Sequence, residues 1–143
     1  MGLDLIEQYN NIYVLRLDKR ETYGLYGDKA RIAYEMSKGQ KGIVTCGSRE
    51  SIQTVAFAQV CDILNIPCEI HIPKGKDTDS ILKLENTNCN IIREKVGYNN
   101  VLNAHARDNA KNKGYIISTR QISRTMIQTT CMANDPHACL ILP

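Results

Sequence analysis

The chain repeats one local pattern, in which a short apolar run is followed by a longer run with helical periodicity. Strand-like runs end at Cys46, Ile72, Arg93 and Ser118, and runs typical of amphipathic helices separate them. Strands that alternate with helices in this way pair in parallel, because each helix carries the chain back to the same end of the sheet. The pattern therefore predicts an α/β domain with three layers, a parallel sheet with helices on both faces.

The boundaries of these elements follow from capping and turn residues. We predict a strand over Ile12–Leu17, a polar loop over 18–26 and a helix over Ala30–Ser37 that ends near Gly39. Later helices are predicted over 51–64, 80–85 and 99–113, with Ser51 and Asp77 as N-terminal caps of the first two.

The α/β domain is predicted to cover residues 1–121, and residues 122–143 form an irregular C-terminal tail. The tail ends on the apolar run Leu140-Ile141-Leu142-Pro143, although a domain terminus usually lies exposed. Such an ending is consistent with docking on the core, with docking on a second copy, or with a truncated gene.

Composition excludes several classes of function. A chain of 143 residues suits one domain, and its net charge of +3 is spread along the sequence rather than clustered, which argues against nucleic-acid binding. We see no signal peptide and no apolar run long enough to span a bilayer. Cys46, Cys61 and Cys68 lie in apolar segments and no C-x-x-C pair occurs, so we predict reduced thiols, a cytoplasmic location and no metal site.

Gly27-Asp28-Lys29 stands between a loop and a predicted helix. A lysine at such a junction can be partly desolvated, which lowers the pKa of its amine and frees the lone pair to form a Schiff base with an aldehyde. Glycine allows close approach of a flat ring, and Tyr23 and Tyr26 could pack nearby. The alternative, more common among lysines in general, is a solvated lysine at a helix start beside an Asp cap.

A second candidate is the loop from Thr45 to Gln53, between a strand and a helix. Parallel sheets bind ligands at this edge, and a helix N-terminus favours a carboxylate or a phosphate. Ser48 and Ser51 add hydroxyl groups. The alternative is an ordinary β–α turn in which Ser51 only caps the helix. His71, in a strand, and His105, in a helix, are expected to be structural.

The order of these segments resembles the fold type II pyridoxal-phosphate enzymes, the tryptophan-synthase-β-like superfamily. The likeness is nearest the aminocyclopropane-carboxylate deaminase, D-cysteine desulfhydrase and threonine synthase branches, and it covers residues 12–118, the N-terminal and small-domain portion. The segments that carry it are Arg16–Glu21, Gly27–Arg31, Glu50–Gln53, Asn65–Pro73, Gly97-Tyr98 and Gly114–Ile117.

The resemblance implies pyridoxal phosphate as cofactor and a small amino acid as substrate. It implies Lys29 as the Schiff-base lysine and proton shuttle, Ser51 as a donor to the substrate carboxylate, and Gly47, Ser48 and Gln53 as further cofactor-binding residues. It also implies either a homodimer or a separate partner chain that supplies the large domain.

Two departures separate this sequence from the family pattern. Ile52 stands where the family has an asparagine that hydrogen-bonds the cofactor, and no glycine-rich phosphate loop occurs in a chain less than half the usual length. The leading hypothesis is a shortened pyridoxal-phosphate-dependent lyase or deaminase. The alternative is a catalytically inactive binding or regulatory module that takes an amino acid or an anion at the Gly47–Gln53 loop.

A third hypothesis is an unrelated doubly wound domain of the flavodoxin or receiver type. A receiver needs paired acids at the end of its first strand, and only Asp18 and Glu21 follow the predicted strand Ile12–Leu17. This pattern disfavours the third hypothesis.

Overall fold

Two small antiparallel hairpins form the N-terminal part of the protein, in a computed structural model that describes residues 5–95 and 98–118. Strand β1 (Ile6–Tyr9) pairs with β2 (Ile12–Leu15), and β3 (Glu21–Thr22) pairs with β4 (Leu25–Tyr26). The prediction of one strand over Ile12–Leu17 was too long, and it missed β1. Leu17–Lys19 forms a 3-10 turn instead, because the Arg16 guanidinium turns back to ion-pair with Glu7 and Asp18.

The rest of the described chain alternates helices and strands as predicted. The elements are α1 (Asp28–Ser37), β5 (Ile43–Cys46), α2 (Ile52–Leu64), β6 (Cys68–Pro73), α3 (Asp79–Glu85), β7 (Asn90–Glu94), α4 (Asn99–Lys113) and β8 (Ile116–Ser118). Strands β5 to β8 form one sheet in the order β7-β6-β5-β8, and every neighbouring pair is parallel.

The helices lie on both faces of this sheet, which confirms the predicted three-layer architecture. Helix α2 packs on β5 and β6 with α1 and α3 beside it. Helix α4 is the one helix among the described residues that packs on the opposite face, over β5, β6 and β8. The larger core lies under α2, where Ile43, Phe57 and Ile70 are fully buried. The core under α4 is small, and its buried members are Val44, Ala106 and Ala110.

Of two helix caps predicted from the sequence, one is confirmed and one is wrong. The Ser51 hydroxyl accepts a hydrogen bond from the Thr54 N–H at 3.3 Å, so Ser51 caps α2 as predicted. The prediction of Asp77 as the cap of α3 was wrong. The Thr78 hydroxyl accepts from the Ile81 N–H at 3.4 Å, while Asp77 is drawn into an ion pair with Arg93 at 2.7 Å.

Two further predictions from the sequence concern residues outside the described ranges, 5–95 and 98–118. The predicted tail, residues 122–143, and the domain boundary at residue 121 lie outside them. None of the helices within residues 5–95 and 98–118 is long and apolar enough to cross a membrane.

Candidate functional site

The candidate site lies at the carboxyl end of β5. From β5 the chain crosses through α2 to β6 on one side, and β8 later returns to the other side of β5. The order of the strands therefore reverses at β5, and such a switch point opens the crevice where parallel α/β sheets generally bind ligands. The loop Gly47–Ser51 leads from β5 into α2 at this crevice.

Close packing of backbone against side chain shapes this loop. The Gly47 N–H donates to the carbonyl of His71 at 3.2 Å, and the Ser51 N–H donates to the carbonyl of Ser48 at 3.1 Å. A Cβ atom on Gly47 would lie 2.9 Å from the Ser51 Oγ and 3.0 Å from the Thr54 Cγ2. Only glycine fits at residue 47 without a shift of the helix start.

The loop is also tied to the neighbouring turn after β6. Arg49 Nη1 donates to the carbonyl of Lys76 at 3.1 Å, and its guanidinium covers the backbone of Gly75. The Thr78 hydroxyl donates in turn to the carbonyl of Arg49. These contacts anchor the loop on the side that faces away from β8. They were not predicted from the sequence.

Polar side chains of two elements meet on the other side of the crevice. Gln53 Nε2, in the first turn of α2, donates to the Ser118 Oγ at 3.3 Å. Ser118 ends β8 and is fully buried, whereas Ser48 is exposed. Ser118 was not predicted as a site residue from the sequence. Its position at the end of a predicted strand could have indicated it, because all parallel strands of one sheet end at the same edge.

Lys29 occupies the first turn of α1, two residues after Gly27. Gly27 has φ 100° and ψ 161°, a backbone conformation that is essentially restricted to glycine. Asp28 ion-pairs with Arg31 at 3.0 Å, and the Lys29 side chain is exposed, with no hydrogen bond or ion pair to any residue that the structure describes. The described part of the chain therefore leaves this amine solvated rather than desolvated.

Packing of the helices orients Lys29 relative to the loop. Helices α1 and α2 pack against each other. A connection of five residues leads from α1 into β5, and one of three residues leads from α2 into β6. Both helices therefore end near the amino edge of the sheet, and their first turns point toward its carboxyl edge. Within the described residues no hydrogen bond joins Lys29 to Ser48, Ser51 or Gln53.

The chemistry of these groups fits one end of an amino acid. The Ser51 Oγ uses a lone pair to accept from Thr54, so its hydroxyl proton is free to be donated. This proton, the Ser48 hydroxyl and the N–H groups at the start of α2 suit a carboxylate. Ile52 is apolar and 66% exposed, so it offers no donor to the ring oxygen of a pyridoxal cofactor.

Comparisons with known proteins identify the fold. No family model and no curated protein matches the sequence. Similar solved structures include an ACC deaminase homologue, with TM-score 0.57, 16% identity and coverage of 73% of this chain and 35% of that chain. They also include a pyridoxal 5'-phosphate-dependent aspartate racemase (0.54, 20%, 76% and 36%) and a T.th. threonine deaminase (0.52, 16%, 62% and 28%).

The chain has the fold of the small domain of the fold type II pyridoxal-phosphate-dependent enzymes, as the resemblance in sequence predicts. At 16% to 20% identity the likeness shows the fold and not the activity. The chain spans only 28% to 36% of the length of these three proteins. Their reactions, substrates and partners are therefore a basis for proposals about this protein.

An open groove of about 340 Å³ lies elsewhere on the described surface. It runs between α2 and the end of α3, beside β4, and none of the predicted site residues contributes to it. Its lining residues are Leu25, Gln59, Asp62, Ile63, Lys83, Asn86 and Thr87. Its position separates it from the crevice at the carboxyl end of β5.

Proposed function

We propose that this chain is the N-terminal and small-domain portion of a pyridoxal-phosphate-dependent lyase or deaminase that acts on a small amino acid. The observation that carries this proposal is a lysine two residues after Gly27, in the first turn of α1, in a fold whose similar solved structures include a threonine deaminase, an ACC deaminase homologue and an aspartate racemase. The positions of Ser51 and Gln53 at the same edge of the sheet support it.

When bound, pyridoxal phosphate supplies an electron sink that acidifies the Cα–H of an amino acid. In this proposal the Lys29 amine would hold the cofactor aldehyde and, once the amine of the substrate has displaced it, would take and return the Cα proton. Ser51 donates its free hydroxyl proton to the substrate carboxylate, and Gly47 keeps the loop close enough for the N–H groups of α2 to assist. Ser48 and Gln53 line the same edge. A large domain, in a longer sequence or in a partner chain, completes the site.

The test is site-specific labelling of Lys29 by pyridoxal phosphate. We expect the purified protein to give a weak visible absorption band with the cofactor, because the fold covers about a third of its solved relatives. Borohydride reduction and peptide mapping should then place most of the label on Lys29. The matched control is Lys41, which is also exposed and lies in the connection between α1 and β5.

Lys29→Ala should abolish the band, while Lys41→Ala should leave it unchanged. Ile52→Asn should strengthen it, because an amide restores the hydrogen-bond donor that the resemblance implies at this position. Labelling spread evenly over the exposed lysines, with equal bands in both alanine variants, would contradict the proposal.

A second candidate function is binding without catalysis, and the exposed Ile52 at the start of α2 favours it. In this case the Gly47–Gln53 loop takes the carboxylate of an amino acid or another anion and regulates a partner. L-serine or inorganic phosphate should then shift the amide resonances of the loop in the absence of pyridoxal phosphate. Lys29→Ala should leave these shifts unchanged.

A further inference from the structure

Helix α4 rests on the sheet through two parallel stripes of different chemistry. Its apolar stripe, Leu102, Ala106 and Ala110, is buried, and the two alanines pack with residues of β5 and β8. Its polar stripe, His105, Asn109 and Lys113, recurs every four residues and therefore lies on one side of the helix. Among the described residues the apolar core under α4 is small, so the polar stripe contributes much of the contact between this helix and the sheet.

The polar stripe meets two buried or nearly buried carboxylates on the sheet. Glu69 of β6 is 2% exposed, accepts a hydrogen bond from Asn109 Nδ2 at 2.8 Å and ion-pairs with Lys113. Glu94, at the end of β7, ion-pairs with His105. Each end of the polar stripe therefore has its own acidic partner.

His71 lies between these carboxylates and is 1% exposed. Its Nε2 is 3.0 Å from the Glu69 Oε1, and its Nδ1 is 2.5 Å from the Glu94 Oε1. Ionised carboxylates only accept hydrogen bonds, so both ring nitrogens must carry protons for both contacts to be favourable. Asn109 Nδ2 lies 3.2 Å from the Nε2 and has its shorter contact with Glu69. The geometry therefore requires an imidazolium at His71.

Two carboxylates and one ammonium group lie around the His71 ring. Glu69 on its own strand and Glu94 on β7 supply two negative charges, and Lys113 of α4 supplies one positive charge. Cys46 of β5 lies in register with His71, and burial raises the pKa of its thiol, so it adds no charge at neutral pH. From α4, His105 contacts Glu94, and the Arg107 charge acts on Cys46.

We propose that Glu69, His71 and Glu94, together with the polar stripe of α4, form a proton-operated latch that holds α4 on the sheet. Loss of one proton from His71 leaves a buried carboxylate oxygen facing a nitrogen lone pair, which is strongly unfavourable. The latch then opens. Because α4 leads directly into β8, its release also loosens the strand that carries Ser118.

The pKa directions of the carboxylates agree with this arrangement. Burial raises the pKa of Glu69, but hydrogen bonds from Lys113, His71 and Asn109 outweigh it and lower the pKa below its usual value. Burial likewise raises the pKa of Glu94, and hydrogen bonds from His71 and His105 reverse the shift. Both directions favour the ionised carboxylates to which the His71 ring donates in this arrangement.

Amide hydrogen exchange of the whole chain between about pH 5 and about pH 9, which brackets the ordinary imidazole range, tests the latch. We expect the protection factors of α4 and β8 to fall with rising pH, by up to about tenfold per pH unit over the range in which the open state has released the His71 proton and the closed state still holds it. The protection factors of α2, on the opposite face, should remain constant. Protection of α4 that is independent of pH, or that falls only together with that of α2, would overturn the proposal.

Two variants separate His71 from the exposed His105. His71→Gln should lower the protection of α4 at neutral pH and remove its pH dependence, whereas His105→Gln should retain the pH dependence. The ¹⁵N chemical shifts of the wild-type His71 ring provide a measurement that does not depend on folding of a variant. Two protonated nitrogens while α4 is protected support the latch, and a single protonated nitrogen contradicts it.

Discussion

Ser51 combines two tasks at the scale of a single residue. Its oxygen caps α2 through the Thr54 N–H, and its proton remains available to a ligand. The neighbouring Gly47 is required for both tasks, because any side chain at residue 47 would collide with the Ser51 hydroxyl. Capping and ligand binding can therefore be separated only by substitutions at Ser51 itself.

Ser51→Ala and Ser51→Asp should have different effects on stability. Ser51→Ala removes the cap and should lower the free energy of unfolding by about 1 kcal/mol. Ser51→Asp keeps a capping oxygen at the positive end of the α2 dipole, so stability should stay near that of the wild type. Urea unfolding measures both.

The two Ser51 variants should rank differently in L-serine binding than in stability. The aspartate should repel the carboxylate of L-serine and abolish its effect on the loop resonances, although this variant is the more stable of the two. Ser48→Ala, at an exposed residue of the same loop, is the control for stability. Undiminished binding by Ser51→Asp would exclude this loop as the carboxylate site.

At the scale of elements, the parallel sheet and the N-terminal hairpins differ in how they are supported. Strand β5 lies inside the sheet, with α2 on one face and α4 on the other. The hairpin of β1 and β2 exposes large apolar side chains, including Ile12 at 60% and Tyr13 at 67%. A two-stranded hairpin is marginal by itself, so the stability of the domain resides in the sheet and its helices.

The same substitution in both elements should reveal this difference. Ile43→Val in β5 removes a buried methylene and should cost about 0.5–1.5 kcal/mol of unfolding free energy. Ile12→Val, at a largely exposed position of β2, should change it by less than about 0.5 kcal/mol. Urea titration at constant pH gives both values. Equal losses would mean that the hairpin packs as part of the cooperative core.

At the scale of the whole molecule, the two carboxylates under α4 govern stability in acid. The pKa values of Glu69 and Glu94 are lowered in the folded state, so each contributes stability above its unfolded pKa that is lost as the pH falls through the folded value. Glu7 at the surface has its pKa lowered to about 2 by hydrogen bonds from Lys19, Tyr9 and Arg16. Glu7 lies on a surface hairpin where solvent screens its ion pairs, so we assign it little weight.

Acid unfolding should therefore become less steep when a carboxylate under α4 is neutralised. Glu69→Gln should lower stability at neutral pH, because Lys113 and His71 lose a charged partner, and should flatten the decline of stability below about pH 4.5, the ordinary carboxyl range. Glu50→Gln, at an exposed position, is the control. Urea unfolding at a series of pH values checks this, and identical acid limbs in all three proteins would contradict it.

Local patterns in the sequence determined the parallel α/β class and the cap at Ser51. Periodicity and capping depend on residues close together in the chain, and a strand–helix–strand connection leaves little choice but parallel pairing. The capping prediction at Asp77 failed for a tertiary reason, since Arg93, sixteen residues away, holds that carboxylate.

Only the tertiary structure decided what meets at the carboxyl edge and beneath α4. The sheet order places β8 next to β5, and this pairing alone brings Ser118 to Gln53, which lies 65 residues earlier. Glu69 and His71 stand in a strand whose composition does not reveal their partners, because these come from β7 and α4. Contacts between residues far apart in the chain leave no local period, so the three-dimensional packing is needed to find them.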